Sequence, residues 1–549
     1  MPLIPPELIN IIQDVLHKEN PLTILEISGF DAGFGQQVVD LCKNPQRCDN
    51  SSLKRFDRID LSNGETIIDD GVYNNIYDSN HLINMGKMDD YDLIVIFHLF
   101  ENMIGDDAKA LLTSLLKKVK KQVLVITPIY PYDLDYENKL SNIRVYHPVF
   151  FLGLDFSYKA LNTADGVFQV YSFFPKIDYE LLPCDILNDR DYSSDSIKKL
   201  RIAYIIPHHN LTGGVKAMLQ QMKELTGSGH KVFAYFRSDE DVNAIPQWSH
   251  LTSDDVADQI VIPCSSNFLN HINNIDIIVI GWINFMPEFS KSDIPVVLWE
   301  QGYERFYGDF FELQTSSSEE RQNMHSIYRM PVHLLAVSET IRTVLKGVYN
   351  RNSQYFPNGI DTDFYYPVTQ KNNNVPVILL VGNPRLSFKG FEFAVTVLSA
   401  LYQKGLEFKV WWASQAEVAF AERNQMFEIF HTPPQEKLAE LYRNADIFLS
   451  TSLYESFPLP PIEAMASGTA VIATDSGGIN TYAKPGVNCI LCEQGDCDSI
   501  VVALQYLLTN PEAREILAKE GRKTALEYSF SNVAPKLEQC FDRILSGVV

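Results

Sequence analysis

Three stretches of this 549-residue chain follow one local order: a short aliphatic run, a glycine-bearing loop, then residues at helical spacing. They are LTILEISGFDAGFGQQVVDLC from Leu22, LRIAYIIPHHNLTGGVKAMLQQMKEL from Leu200 and VPVILLVGNPRLSFKGFEFAVTVLSALYQKG from Val375. Unbroken aliphatic and β-branched runs describe strands buried on both faces, and parallel strands need crossover helices. The pattern therefore predicts an α/β chain with three Rossmann-like domains, in keeping with a length too great for a single core.

Two breaks divide the three. LPCDILNDRDYSSDSIKK from Leu182 is polar and aperiodic, and YYPVTQKNNNVPV sets three asparagines between prolines, which sustains neither helix nor strand. The expected divisions are a first domain over 1–190, a linker over 191–198, a second domain over 199–367, a third over 368–530 and a last segment over 531–549. That last segment lies in YSFSNVAPKLEQCFDRIL, which is amphipathic, with Val533, Leu537, Cys540, Phe541 and Ile544 on one helical face.

Charge narrows the partners. The chain has 46 basic against 69 acidic side chains, a net of −23, with no basic cluster, which argues against duplex nucleic acid and anionic membrane surfaces. The longest apolar runs, LIVIFHLF from Leu93 and IDIIVIGWI from Ile275, fall short of the roughly 18 residues of a membrane span and read as buried strands. No secretory leader is visible in MPLIPPELINIIQDVLHKEN, so the expected location is the cytoplasm. Cys489, Cys492 and Cys497 are spaced as a zinc motif would begin, but no fourth ligand accompanies them, and the alternation in VNCIL favours core positions.

Candidate chemistry gathers in the second and third segments. Gly213 and Gly214 precede a helix expected to start near Val215, where bare backbone N–H groups suit an anion such as a diphosphate; plain turn chemistry explains the pair equally well. His208 and His209 read as loop residues. After VILLVG, which ends at Gly382, NPRLSFKG brings Arg385 and Lys389 to the carboxyl end of a parallel strand, where open α/β sheets bind ligands. In YESFPLPPIEAMASG, Pro460 and Pro461 suit the first turn of a helix that Gly468 stops. Glu463 is then expected in that first turn and Glu455 in the loop before it. Two such carboxylates could be a hydrolase's acid and base, a metal site or acceptors for a ligand's hydroxyls.

From about Lys199 onward the chain resembles the retaining, nucleotide-sugar-dependent glycosyltransferases of family 4. The resemblance rests on the E-x7-E spacing of Glu455 and Glu463 in SLYESFPLPPIEAMASGTAVIATDSGG, the Gly213–Gly214 loop, VSETIR from Val337, PNGIDTDFYYP from Pro357, and the spacing from Gly382 to Lys389–Gly390. It implies a GT-B fold, two Rossmann-like domains facing a cleft, with the final helix crossing back onto the 199–367 domain. It further implies that Glu455 accepts from donor-sugar hydroxyls, Glu463 from the ribose, and Lys389 contacts the diphosphate. Gly214 would approach the same phosphates, and backbone from Phe457 through Pro458 to Leu459 would line the donor site. Transfer would be metal-independent, from a nucleotide-diphosphate sugar to a hydroxyl of a glycan or glycoconjugate, moving a hexosyl or deoxyhexosyl group.

The chain departs from the family at two places. Asn383 stands where members usually carry an arginine, with Arg385 two residues on; and Glu300, Gln301 and Gly302 stand where many place a histidine. The Q-x-x-E-x-F-Y form resembles bacterial rhamnosyltransferases of surface-polysaccharide assembly, which implies that Gln301 or Glu304 orients sugar or acceptor; capping of loop amides is the plainer alternative. Residues 1 to about 190 resemble, more loosely, a class I methyltransferase. ILEISGFDAGFG looks like its first strand and glycine loop, and Asp60 stands where an acidic residue would hold a ribose. Gly29, Gly33 and Gly35 are irregularly spaced and Ser28 replaces an expected glycine, so a scaffold without cofactor is expected ahead of a domain binding S-adenosylmethionine. The alternatives to a glycosyltransferase are a sugar-binding scaffold of the same fold and a bifunctional enzyme that also methylates.

Overall fold

The structure is a computed structural model that describes residues 6–28, 53–60, 73–77, 88–97, 103, 105–130, 148–163, 166–180, 182–185, 198–249, 251–307, 317–418 and 426–547. These fall into two compact units. The smaller comprises residues 1–178 together with 303–326, and the larger comprises 179–302 and 327–549.

In the smaller unit seven strands form one sheet: β1 (Thr23–Ser28), β2 (Arg55–Asp60), β3 (Asn75–Tyr77), β4 (Tyr91–Phe97), β5 (Val119–Tyr130), β6 (Phe156–Thr163) and β7 (Gly166–Phe173). Their order is β3-β2-β1-β4-β5-β7-β6, parallel except that β7 runs antiparallel to both neighbours. Helix α1 (Pro6–Glu19) turns Leu8, Ile12, Val15 and Leu16 inward, the spacing of one helical face, onto Ile24, Leu93 and Val95 of the sheet. Helix α2 (Gly105–Leu116) precedes β5. Ser28 ends β1, and its hydroxyl donates to the buried Glu26 at 2.8 Å. The glycine loop expected at Gly29, Gly33 and Gly35 and the side chain of Asp60 lie outside the described residues, as does most of the 191–198 linker.

The segment 303–326 is bound into this unit by buried charge. Asp155 accepts from Arg321 Nε at 2.8 Å and pairs with His325 Nε2 at 2.7 Å. Burial would raise the Asp155 carboxyl, but the Arg321 guanidinium and His325 outweigh it and hold the group below the usual carboxylate range. Tyr307 stacks on Phe156 at 4.7 Å.

The larger unit holds two parallel sheets. The first is built from β8 (Arg201–Ile205), β9 (Lys231–Arg237), β10 (Asp258–Ile262), β11 (Ile277–Ile280), β12 (Val296–Glu300), β13 (His333–Ala336) and β14 (Gln354–Tyr355), in the order β10-β9-β8-β11-β12-β13-β14. The second is built from β15 (Val377–Val381), β16 (Lys409–Ser414), β17 (Phe427–His431), β18 (Ile447–Ser450), β19 (Ala470–Thr474) and β20 (Ile490–Cys492), in the order β17-β16-β15-β18-β19-β20. Each order reverses once, between β8 and β11 and between β15 and β18. These are the switch points at which open α/β sheets leave a crevice at their carboxyl edges.

Helix α3 (Gly213–Gly227) follows β8, α4 (Phe391–Gln403) follows β15, and α5 (Leu459–Ala466) follows β18. Helix α3 begins two residues earlier than the sequence suggests. Thr212 is the N-cap, its hydroxyl accepting from Val215 N–H, so the two glycines form the first turn itself. Gly468 stops α5 in the left-handed region, at φ +70°.

The last helix, α6 (Phe530–Ser546), buries Val533, Leu537, Cys540, Phe541 and Ile544 and packs on α3 of the first sheet's half. His230 fixes it there: its Nδ1 accepts from Leu200 N–H at 3.0 Å, leaving Nε2 to donate to Glu538 at 2.7 Å. Chain segments at Ile360 and Ser529, which join the two halves, are bridged side by side. Cys489, Cys492 and Cys497 are all core residues, and burial pushes the Cys489 thiol up to about 12. Among the described residues no three His, Cys, Asp or Glu side chains are grouped to hold a metal ion, and no helix is long and apolar enough to cross a membrane.

Candidate active site

The second sheet's switch point places Lys389, from the loop after β15, against Glu455, from the loop after β18. Nζ lies 2.5 Å from Oε1, and the two side chains are 18% and 14% exposed. Ser452 Oγ donates to the same carboxylate oxygen at 3.0 Å. Backbone bonds stiffen the surroundings: Glu455 N–H donates to Ser476 O, Gly478 N–H to Glu455 O, and Leu453 N–H to Phe388 O. Gly390, at φ +60°, lets the chain turn straight from Lys389 into α4, and a Cβ there would sit 2.2 Å from Thr451 O. The pair opens on a small cavity lined also by Val381, Pro460 and Pro461.

Asn383 and Arg385 of the same loop meet through a side-chain-to-backbone bond. Asn383 Oδ1 accepts from Arg385 N–H at 2.9 Å, an Asx turn that shapes the loop. The Arg385 side chain is exposed. Phe457 is buried against Tyr482 at 5.3 Å, and Pro458 O accepts from Tyr482 Oη at 2.5 Å, so these two residues fix the entry to α5.

Glu463 departs from its expected position. Because α5 starts at Leu459, Glu463 is the fifth helical residue and lies in the second turn, 5% exposed, rather than beside the helix start. Its carboxylate is held from two sides. Tyr442 Oη donates to Oε2 at 3.0 Å, and Lys216 Nζ, from α3 in the facing half, donates to Oε1 at 2.9 Å. Lys216 also donates to Tyr365 Oη at 2.8 Å and Gln435 Oε1 at 3.3 Å. Burial would lower the Lys216 ammonium, but the Glu463 carboxylate and the Tyr365 hydroxyl together outweigh it and hold the group above its ordinary value; burial first and that carboxylate second push the Tyr442 and Tyr365 phenols up.

The facing half meets this loop closely. Leu459 Cδ1 lies 3.1 Å from where a Cβ on Gly213 would sit, so the first turns of α3 and α5 abut. The N–H groups of Gly213 and Gly214 have no intrahelical acceptor, which is the general condition of a helix start. Gln301, just past β12, donates through Nε2 to Gly214 O at 3.4 Å, and its own carbonyl accepts from Ser456 Oγ. Its Oε1 is buried without a hydrogen-bond partner among the described residues. Glu304 belongs to the smaller unit, and its side chain lies outside the described residues. His209 stacks on Phe236 at 3.9 Å and His208 stands edge-on to Trp282 at 5.2 Å, loop packing in both cases. Lys216 and Tyr442 carry no sequence signal of their own, whereas Tyr365 lies within the PNGIDTDFYYP stretch from Pro357. Lys216 stands two residues beyond the glycine pair, and only its reach to a carboxylate 247 positions away marks it.

Residues 366–524 match the family model of glycosyl transferases group 1. Among curated relatives, MMP alpha-(1->4)-mannosyltransferase of Mycolicibacterium hassiacum is 28% identical over 202 residues, 35% of this chain and 48% of that protein. D-inositol 3-phosphate glycosyltransferase of Corynebacterium urealyticum is 33% identical over 108 residues, 20% and 26% respectively. The chain thus spans about half the length, or less, of these relatives. Among solved structures, sucrose-phosphate synthase from Thermosynechococcus elongatus superposes with a TM-score of 0.53 at 17% identity, covering 64% of this chain and all of that one. Anabaena HepE, solved with UDP and glucose, gives 0.50 at 13% identity over the same shares. Residues 366–524 are thus similar to the group 1 glycosyl transferases, and the two parallel sheets of the larger unit have an α/β, GT-B-like fold.

Proposed function

We propose that the larger unit is a retaining glycosyltransferase that moves a hexosyl or deoxyhexosyl group from a nucleotide-diphosphate sugar to a hydroxyl of a glycan or glycoconjugate, in bacterial surface glycan assembly. The observation that carries the reading is the Lys389–Glu455 pair at the switch point of a group 1 domain, with the bare first turn of α3 beside it. The neighbour HepE was solved with UDP-glucose, which supports a donor of this class.

Lys389 and the Gly213 and Gly214 amides are suited to the departing diphosphate, whose charge grows as the anomeric C–O bond breaks; fixed donors in a dry site act most strongly there. The diphosphate would draw Lys389 from Glu455, releasing that carboxylate to accept from sugar hydroxyls. Glu463 would accept from the ribose. The acceptor oxygen bonds to the anomeric carbon on the face the diphosphate leaves, and its proton passes to the departing phosphate oxygen. No side-chain base is then required, and metal-independent transfer follows from the same reading. Gln301, with one end of its amide unpartnered, would orient sugar or acceptor, and Arg385, exposed on the loop after β15, would add a second cation at the phosphates. Residues 1–190, of which 1–178 fall in the smaller unit, we read as a methyltransferase-like scaffold, supported by the unit's open, mostly parallel sheet and the buried acid Glu26 on β1.

A panel of nucleotide sugars with glycan acceptors tests the reading, with free nucleoside diphosphate as the readout. Release with at least one donor, and an anomeric configuration kept in the product, are expected. Failure of every donor would leave a sugar-binding scaffold. Calorimetry with S-adenosylmethionine checks the smaller unit: no heat is expected from a scaffold, and saturable binding would make the chain bifunctional.

A further inference from the structure

Most groups around the nucleotide half are supplied by that half itself. Lys216 is an exception, because it belongs to α3 of the first sheet and its ammonium ends on a carboxylate of the second. Three hydrogen bonds hold it there: Glu463 at 2.9 Å, Tyr365 Oη at 2.8 Å and Gln435 Oε1 at 3.3 Å. An ammonium has three donors, and Glu463, Tyr365 and Gln435 take all three in this arrangement. The two partners of Glu463 differ in kind. Tyr442 belongs to the same half and is fully buried, so its bond persists whatever the halves do. The bond from Lys216 exists only while α3 lies against α5.

A carboxylate has about four lone-pair sites, so Glu463 keeps acceptor capacity beyond these two bonds. What it lacks without Lys216 is a compensating charge at 5% exposure, where an unpaired carboxylate is costly. Resting on the donor reading above, we infer that Lys216 is a positioning residue for the nucleotide. From the acceptor-side half it orients and neutralises the carboxylate that accepts the ribose hydroxyls, so that donor affinity depends on an ion pair made between the two halves.

The full-length protein is titrated with UDP, GDP and ADP by calorimetry, and the tightest of the three is then used with variants. Lys216→Met should weaken that diphosphate about tenfold, the equivalent of about 1.4 kcal/mol, and should raise the donor KM by a similar factor while kcat changes by less than about threefold. Lys216→Arg should recover most of the affinity. In a Glu463→Gln background, Lys216→Met should add no further loss, a coupling that a purely structural lysine would not show. Unchanged affinity in Lys216→Met, or a full additional loss in the double variant, would overturn the inference. Should Lys216→Met lack a cooperative melt, Lys216→Gln replaces it under the same criteria. Absence of binding by the wild type to all three diphosphates would defeat the donor reading and this inference together; wild-type binding that Lys216→Met retains defeats the inference alone.

Discussion

Replacing Glu463 by alanine separates what this carboxylate does for the fold from what it does for a ligand. The substitution leaves Lys216 without its counter-charge and Tyr442, fully buried, without an acceptor. Breaking a buried pair costs about 3–5 kcal/mol when both ions are fully dry. The Lys216 side chain is a third exposed, so water recovers part of this and about 2–4 kcal/mol is expected. The melting temperature should then fall by roughly 4–8 °C. Glu463→Gln keeps the shape and one acceptor oxygen but presents an amide N–H to the other donor, so its cost should be about 1–2 kcal/mol. Nucleotide affinity is a separate readout. A hydroxyl bond to a charged acceptor is worth about 1.5–3 kcal/mol, so both variants should bind nucleoside diphosphate roughly 10–100-fold more weakly. Scanning fluorimetry and calorimetry on the same preparations give both numbers. An alanine variant that melts within about 1 °C of wild type would refute the charge argument, and one that binds nucleotide normally would refute the ribose assignment.

Two further outcomes are expected. Lys389→Ala removes the cation beside Glu455 and should lower kcat by about 10²–10³ with little change in donor KM, the signature of a group acting on the leaving phosphate; steady-state kinetics check this, and a loss confined to KM would contradict it. Glu392, in the first turn of α4, has its carboxyl pushed up by burial from 4.5 to about 7. The folded state therefore holds this proton more tightly than the unfolded chain, so its contribution is complete below about pH 4.5 and is lost as pH rises through 7. Glu392→Gln should stabilise the protein at pH 8 by roughly 2–3 kcal/mol and leave it unchanged at pH 4.5, as denaturant titrations at the two pH values would show.

The site was legible in the sequence wherever its signal was local. Aliphatic runs marked β8, β11 and β15, the glycine pair marked the start of α3, and the eight-residue interval from Glu455 to Glu463 put one carboxylate on a loop and the other on a helix. The helix starts were displaced for identifiable reasons: Thr212 caps α3 before the glycines, and α5 begins at Leu459, carrying Glu463 into the second turn. What could not be read were pairings between distant segments. Lys216 and Glu463 share no period or motif, and the grouping of 303–326 with the smaller unit depends on Asp155 meeting Arg321 and His325, which no stretch of the chain records. Asn383, which stands where the resembled family carries an arginine, closes a turn onto Arg385 N–H, a local bond that residue type alone does not announce.

The side-by-side crossing of the chain at Ile360 and Ser529 has a mechanical consequence. Ile360 N–H donates to Tyr528 O at 2.9 Å and Phe530 N–H returns to Ile360 O at 3.3 Å, so the two peptides that join the halves are stitched into a ribbon. A single tether permits swivel, twist and separation. A stitched pair resists twist and separation and leaves bending across its width as the soft coordinate. Any opening of the halves would then run as a hinge about this ribbon, and closing would return the same faces of α3 and α5 to each other.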